Sequence, residues 1–493
     1  METLQRTANR GSISTGFDID NSLKLERANS EQVQATSTTD SGNRKTWTFS
    51  TWIKRTEISY NGGFGINALF YAANTGMQIN SSDKISIKMY TGAAYTGDLL
   101  TTQIFRDTSA WYHIVWTLDT TEATASDRIK LWINGQQVTD FDTETYPNLN
   151  DEFEIGQASS AAPIRIGNAY WGTSPFSAYI AETHYLNGTA KQASDFGEYD
   201  ADSGIWIPKE YTDGGYGDIG FYYKYDNAAS LGEDSSGEGH DANNLINITS
   251  ADQATDTPTN SFSNLEVGRN PAATFLTFNE GNTKLTYAGS TTAYDSDGSG
   301  ISNFRVNTSG KWYMEFSFAG DGDRAVVGVV SDQGANHAAD TDYTRYIMYR
   351  GNDGAVIYNT NGSDVTVSGA GPTYDSPDVI GIALDCDNER VSFSKNGNWI
   401  DGSGAGASNS SPTYYVDWTG HDFLTNSTGN GNCVFVCTNY VNGGTPVIES
   451  NFGGYTTNSI SSGNSDANGY GNFEYAPPTG YYALCTKNLA EYG

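Results

Sequence analysis

Apolar and polar positions alternate with a period of two along most of this chain. Thr46-Trp-Thr-Phe-Ser-Thr-Trp-Ile-Lys54 sets Trp47, Phe49 and Thr51 on one face and Trp52 on the other, the pattern of a strand rich in β-branched and aromatic residues. Trp111–Asp119 reads as a second strand, and the polar loop Thr120–Asp127 joins it to a hairpin. In that hairpin Ile129, Leu131 and Ile133 alternate, and Asn134-Gly135 supplies the two positive-φ positions of a tight turn. Ser22–Arg27, Ile164–Gly167, Ala178–Tyr185 and Gly220–Tyr225 carry the same signature. Between about 227 and 270 the composition shifts to Asp, Ser, Asn, Thr and Gly, and Asp256-Thr-Pro-Thr-Asn-Ser261 reads as a linker. A second strand-rich region follows, with Lys311–Phe318, Ala325–Val330, Asp378–Asp385 and Arg390–Lys395, closed by an Asn396-Gly397 turn. One short helical turn is predicted, near Lys191–Phe196. Alternation without intervening helices predicts antiparallel sandwiches and argues against a doubly wound sheet.

Size and composition bound the reading. A chain of 493 residues exceeds one ordinary domain. Hydrophobic residues are 37% and aromatic residues 13%; large rings fill a core with few residues and leave room for polar loops. The charge is 27 − 58 = −31, which repels phosphate backbones and argues against a nucleic-acid partner. Met1–Arg10 has no apolar core, and no apolar run approaches the length of a membrane span. No signal peptide and no membrane insertion are therefore expected, and the chain should be made and folded in a cytoplasm. The cysteines Cys386, Cys433, Cys437 and Cys485 have no metal-site spacing and are too few for a disulfide scaffold. Cys433-Val-Phe-Val-Cys437 reads as a buried strand in which thiols act as small hydrophobes.

Trp111-Tyr-His-Ile-Val-Trp116, the acidic loop and Lys130-Leu-Trp-Ile-Asn-Gly-Gln136 resemble the central strands of laminin G-like and pentraxin-like jelly rolls of the concanavalin A-like group. Thr46–Lys54 resembles their early strand. Gly310-Lys-Trp-Tyr-Met-Glu-Phe316, Val327-Gly-Val329, Val379–Asp385 and Val391-Ser-Phe-Ser-Lys-Asn-Gly397 resemble a SPRY domain. The resemblance implies an all-β chain of two concanavalin A-like antiparallel β-sandwiches in tandem. Residues 1–20 would be an attachment segment, 21–230 the first sandwich and 231–270 a linker and extended connection. Residues 271–455 would be the second sandwich, and 456–493 a tail packing back on it. The order of the modules, with Asn9-Arg-Gly-Ser-Ile-Ser14, Ser194-Asp-Phe-Gly-Glu-Tyr199, Asp234-Ser-Ser-Gly-Glu-Gly239 and Phe473–Leu484, resembles virion proteins of marine tailed bacteriophages. That likeness implies a tail fibre or tail-associated adhesin made in the bacterial host and located in the virion. It would join other virion proteins through its N-terminal segment and recognise a host-surface glycan or protein. Such appendages are commonly trimers, so a homo-oligomer is expected. A capsid-decorating or head-fibre protein is the second reading.

Catalytic chemistry has little to stand on. Retaining glycoside hydrolases need two carboxylates about 5–5.5 Å apart. The nearest string, Glu152-Phe-Glu-Ile-Gly-Gln157, puts Gln157 where the acid should stand, and an amide cannot donate a proton as a general acid. The five histidines are dispersed, and His113 reads as a packed or edge residue. No catalytic residue is assigned, and the expectation is a protein that is not an enzyme. Asp234, Glu238 and Asp241 lie in a glycine-bearing loop and form a candidate Ca²⁺ site, since hard cations want several oxygens on a sharp turn. Tyr170 and Trp171, between two strand signals, and Tyr216, in Asp213-Gly-Gly-Tyr-Gly217, are candidate sugar-stacking residues.

Overall fold

A computed structural model describes all residues except 1–15, 36–41, 60–65, 157–162, 170–171, 173, 268–275, 288–298, 307–308, 321–324, 332–345, 360–363, 403–406, 418–431 and 440–444. The chain is all-β, with antiparallel sheets forming tandem sandwiches. It divides into two units whose boundary falls between Asn260 and Ser261.

The first unit stacks two sheets, each of eight strands among the described residues. One runs in the order Gln136–Gln137, Ile129–Ile133, Trp111–Asp119, Thr46–Arg55, Ala178–Asn187, Ser22–Leu25, Gln253–Ala254, and Phe221–Tyr223 also pairs with Ala178–Asn187. The other runs Phe141–Thr145, Tyr95–Thr101, Ile85–Tyr90, Thr75–Asn80, Ile66–Ala72, Ile164–Ile166, Gln32–Ala35, Asn244–Ile246. The inner faces meet in an aromatic core. Trp47 and Trp116 pack edge to face at 4.5 Å, and Phe49 stacks on Phe70 at 4.0 Å, geometries that suit the ring quadrupoles. The predicted hairpin is present: Asn134 and Gly135 have φ of 48° and 77°.

The boundary corrects two readings. Residues 231–260 are part of the first sandwich, because Asn244–Ile246 and Gln253–Ala254 each add a strand to it. Asp256, in the supposed linker, is 2% exposed. Its carboxylate accepts from Lys54 Nζ at 2.7 Å and Trp111 Nε1 at 3.2 Å. The polar composition that looked like a tether supplies counter-charges to buried lysines, Asp252 likewise meeting Lys24 at 2.8 Å. Residues 1–15 of the expected attachment segment lie outside the described residues, but Ile19 is buried and its backbone N–H and C=O both bond Thr259 Oγ1 at 3.0 Å.

In the second unit one sheet centres on Val447–Asn451, Lys311–Ala319, Val379–Asp385 and Arg390–Lys395. The other centres on Cys433–Asn439, Ala325–Ser331 and Tyr346–Arg350. All four cysteines are buried. After residue 455 the chain lies along the outside of the Lys311 sheet: Tyr482–Ala483 pairs in parallel with it. Phe473, Tyr481 and Cys485 close over Tyr313, Trp399 and Phe262. The chain ends in a helix, Thr486–Tyr492, which no sequence period announced. Among the described residues no helix is long and apolar enough to cross a membrane.

Candidate functional site

The outer face of the Thr46 sheet should be wet if alternation were the whole account; in this fold it is covered. A bulge changes the phase of the Ala178 strand, with Glu182 at φ 50° and the register shifting between Ala181 and His184. Ile180 and Tyr185, five residues apart, therefore both enter the core, while His184 turns outward. The segment after this strand folds back over the exposed side. It carries a 3₁₀ turn at Ala193–Asp195 and a two-stranded hairpin, Gly197–Tyr199 with Trp206–Pro208. Phe196, Tyr211 and Tyr216 from this segment pack with Val115, Trp132 and Tyr222.

Burying that face traps polar groups, and each finds a partner. His113 is 1% exposed and lies between Trp52, stacked at 4.6 Å, and Trp206. Its Nε2 meets Ser50 Oγ at 2.9 Å and its Nδ1 accepts from Trp206 Nε1 at 3.0 Å. His184 stacks on Tyr222 at 4.0 Å, and its Nδ1 meets the Tyr216 hydroxyl at 2.8 Å. Tyr222 donates to Glu182. Desolvation dominates the titration of all three groups. It pulls His113 down to about 3 and His184 well below its ordinary range, and it pushes Glu182 up to about 7. Both imidazoles are therefore neutral at neutral pH.

Where this covering layer meets the Asn134-Gly135 hairpin, a cleft of about 360 Å³ opens. Trp132, Tyr199 and Trp206 wall it, with Gln192, Glu198 and Lys209 at its polar edge. Tyr199 and Trp206 are cross-strand partners set edge to face at 4.9 Å, and Tyr199 is 47% exposed. The turn joining their strands is locked by Asp200, whose Oδ1 accepts from the backbone N–H and the hydroxyl of Ser203, both at 2.7 Å. Trp206 lies flat on bare backbone: a Cβ on Gly135 would come within 2.3 Å of the indole and one on Gly197 within 2.5 Å. Two glycines thus make room for the ring that walls the cleft, and Gly135 does so while also serving the turn. Rigid ring faces beside a few polar groups suit a ligand that is apolar on its faces and hydroxylated at its edges. Of the described residues lining the cleft, Glu198 is the one carboxylate.

The residues singled out from sequence fare differently. Tyr170 and Trp171 lie outside the described residues. Tyr216 is no stacking platform. It is 4% exposed and bonded to His184, because the glycine-rich loop that looked free folds onto the outer sheet face. Asp234 caps a turn. Its Oδ1 accepts from the N–H groups of Tyr222 and Ser236, and its Oδ2 from Ser236 Oγ and the N–H of His240. Asp241 Oδ1 accepts from the Asp234 N–H at 2.8 Å. Glu238 is exposed, and the three do not bring ligand oxygens together. Both Asp234 oxygens are thus engaged by the loop's own donors, and the loop does not gather the several oxygens that a hard cation such as Ca²⁺ wants. Glu154–Gly156 is a 3₁₀ turn, and Glu152 pairs with Arg44 and Lys45 at 3.6 and 3.5 Å. That string lacks the alternation of a catalytic strand. The cleft residues went unread as a site, although Trp132 was visible out of phase with Leu131 and Ile133: a large ring on a nominally wet face signals that something covers it.

The family model described as concanavalin A-like lectin/glucanases superfamily, of laminin G type, matches residues 27–194. The SPRY domain model matches residues 311–416. A laminin G-like sandwich is followed in this chain by a SPRY-like one. No curated protein matches the chain. Among solved structures, the SPRY domain of human HERC1 is 16% identical, with 36% of this chain and 91% of that one covered and a TM-score of 0.23. Domains LG4-5 of the mouse laminin alpha1 chain are 11% identical, with 93% and 87% covered and a TM-score of 0.27. A putative carbohydrate binding protein from Bacteroides ovatus is 14% identical, with 46% and 59% covered and a TM-score of 0.30; this chain spans less than two thirds of that protein.

Proposed function

We propose that this chain is a non-enzymatic adhesin of a bacteriophage virion, a tail fibre or tail-associated protein, and that the cleft of its first sandwich takes a saccharide of the host surface. One observation carries the binding role. The exposed ring of Tyr199 and the partly buried indole of Trp206, backed by the buried Trp132, line a cleft of ligand size in the laminin G-like unit that polar side chains rim. Among the described lining residues Glu198 is the one carboxylate, which supports binding without hydrolysis, since glycoside cleavage canonically needs a second one opposite the first. The virion setting rests on the sequence resemblance, and the acidic charge of −31 favours a surface-exposed role away from nucleic acid.

The test uses the purified full chain against a panel of host-surface oligosaccharides, with affinity measured by calorimetry. Saturable binding that Trp206→Ala weakens by at least tenfold, with folding intact, is the expected result. Release of reducing sugar would replace the binding reading with an enzymatic one. Purified particles carrying the chain on the capsid alone would replace the tail assignment with a decorating role.

A further inference from the structure

We infer that His113, buried beneath the cleft, is a positioning residue for ligand binding, its imidazole fixing the orientation in which the Trp206 indole walls the site. The inference rests on the cleft being the binding site. Trp206 Nε1 can only donate, so His113 Nδ1, 3.0 Å away, is its acceptor. In the neutral ring the proton then sits on Nε2, where it is given to Ser50 Oγ at 2.9 Å. The backbone bonds reach the same hairpin: the His113 N–H donates to Asn134 Oδ1 at 2.7 Å, and the Asn134 N–H donates to the His113 carbonyl at 2.9 Å. Asn134 in turn accepts from the Tyr199 hydroxyl through its own carbonyl at 3.3 Å. Gly135 and Gly197 set the plane of the indole, and contact alone would accept the ring in that plane in either of two orientations related by a half-turn about χ2. The bond to His113 removes this freedom, because only one orientation presents the N–H to Nδ1. A leucine at this position would fill the space without burying a polar ring; the acceptor is what histidine adds.

Two substitutions separate the two nitrogens. His113→Asn places an amide oxygen close to the Nδ1 position and keeps an acceptor for Trp206. His113→Gln places its amide close to the Nε2 position, keeps Ser50 and leaves Trp206 unpaired. Both are measured in the full chain with ¹⁵N-labelled tryptophan, the Trp206 indole signal being assigned by its loss in Trp206→Phe, and with the affinity for an oligosaccharide that the unaltered chain binds. His113→Asn is expected to hold affinity within about threefold and to keep the Trp206 N–H shift. His113→Gln is expected to weaken binding by about tenfold and to move that shift, at a melting temperature matching that of His113→Asn. Unaltered affinity and N–H shift in His113→Gln, or equal losses in the two variants tracking lost stability, would overturn the positioning role alone. Absence of saccharide binding by the unaltered chain would overturn the cleft reading, and this inference with it.

Discussion

Alanine at Gly197 is the sharpest probe of how the cleft is built. Gly197 pairs with Pro208, and Trp206, two residues before Pro208, lies diagonally across it. A methyl there would sit 2.5 Å from Cζ2, 2.6 Å from Cε2 and 2.7 Å from Nε1 of the indole. Carbon atoms rest about 3.5–4.0 Å apart, so the ring must retreat by about 1 Å. Gly197 is not among the positive-φ residues; alanine adds no backbone strain, and any loss reports on the ring. Retreat stretches the 3.0 Å bond to His113 and opens the edge-to-face pair with Tyr199. Overpacking of this kind costs about 1–3 kcal/mol, and the hydrogen bond about 1 kcal/mol more. We expect Gly197→Ala to destabilise the chain by about 2–4 kcal/mol in urea unfolding and to weaken saccharide binding by at least tenfold. A variant with unchanged midpoint and unchanged affinity would mean that Trp206 does not press on this glycine, and the cleft geometry would be wrong.

Three further outcomes follow from the same physics. Tyr199→Ala, at a ring 47% exposed that pairs edge to face with Trp206, should cost about 1–2 kcal/mol of stability while lowering saccharide affinity about tenfold; calorimetry and thermal melts on one sample separate the two effects. Asp256→Ala removes the carboxylate that meets the buried Lys54 ammonium at 2.7 Å and the Trp111 indole at 3.2 Å and should cost about 3–5 kcal/mol in chemical denaturation, whereas a true linker residue would tolerate the change. Glu315, 2% exposed, is pushed by burial from its ordinary 4.5 up to about 7, against donors from the Glu474 and Tyr475 N–H groups and the Tyr313 hydroxyl. Between these two pH values the folded chain keeps a proton that the unfolded chain has lost. Its contribution is therefore full below about pH 4.5 and lost as pH rises through 7, on the order of 3 kcal/mol in all. Melting curves from pH 4 to 8 should show that slope flattened in Glu315→Gln, and parallel profiles for the two proteins would refute it.

The strands, the Asn134-Gly135 turn and the all-β architecture were legible because they depend on residues adjacent or alternate in sequence. Trp47, Phe49, Ile114 and Trp116 face inward as period two requires. What period two cannot report is a second layer over a face it marks as wet. Trp132, His113 and Trp52 sit on that face, and their size was the visible sign of a cover; the cover itself comes from residues as distant as Trp206. The bulge at Glu182 was equally hidden, since one extra residue reverses every side chain beyond it and leaves the composition unchanged. Residues 231–260 were misread for an electrostatic reason. Asp252 and Asp256 resemble solvent-loving linker residues until the buried partners Lys24 and Lys54 are known. Tyr216 failed likewise, its glycine neighbours suggesting an open loop where the chain turns down onto His184.

The claim on which the rest depends is that Tyr199 and Trp206, backed by the buried Trp132, form a saccharide site. Titrating the ¹⁵N-tryptophan-labelled chain with a bound host oligosaccharide tests it most directly. The indole signals of Trp132 and Trp206 should move in step with saturation, while those of core residues Trp47, Trp116 and Trp312 stay fixed. Saturable binding that leaves Trp132 and Trp206 unmoved would place the site elsewhere and contradict the account.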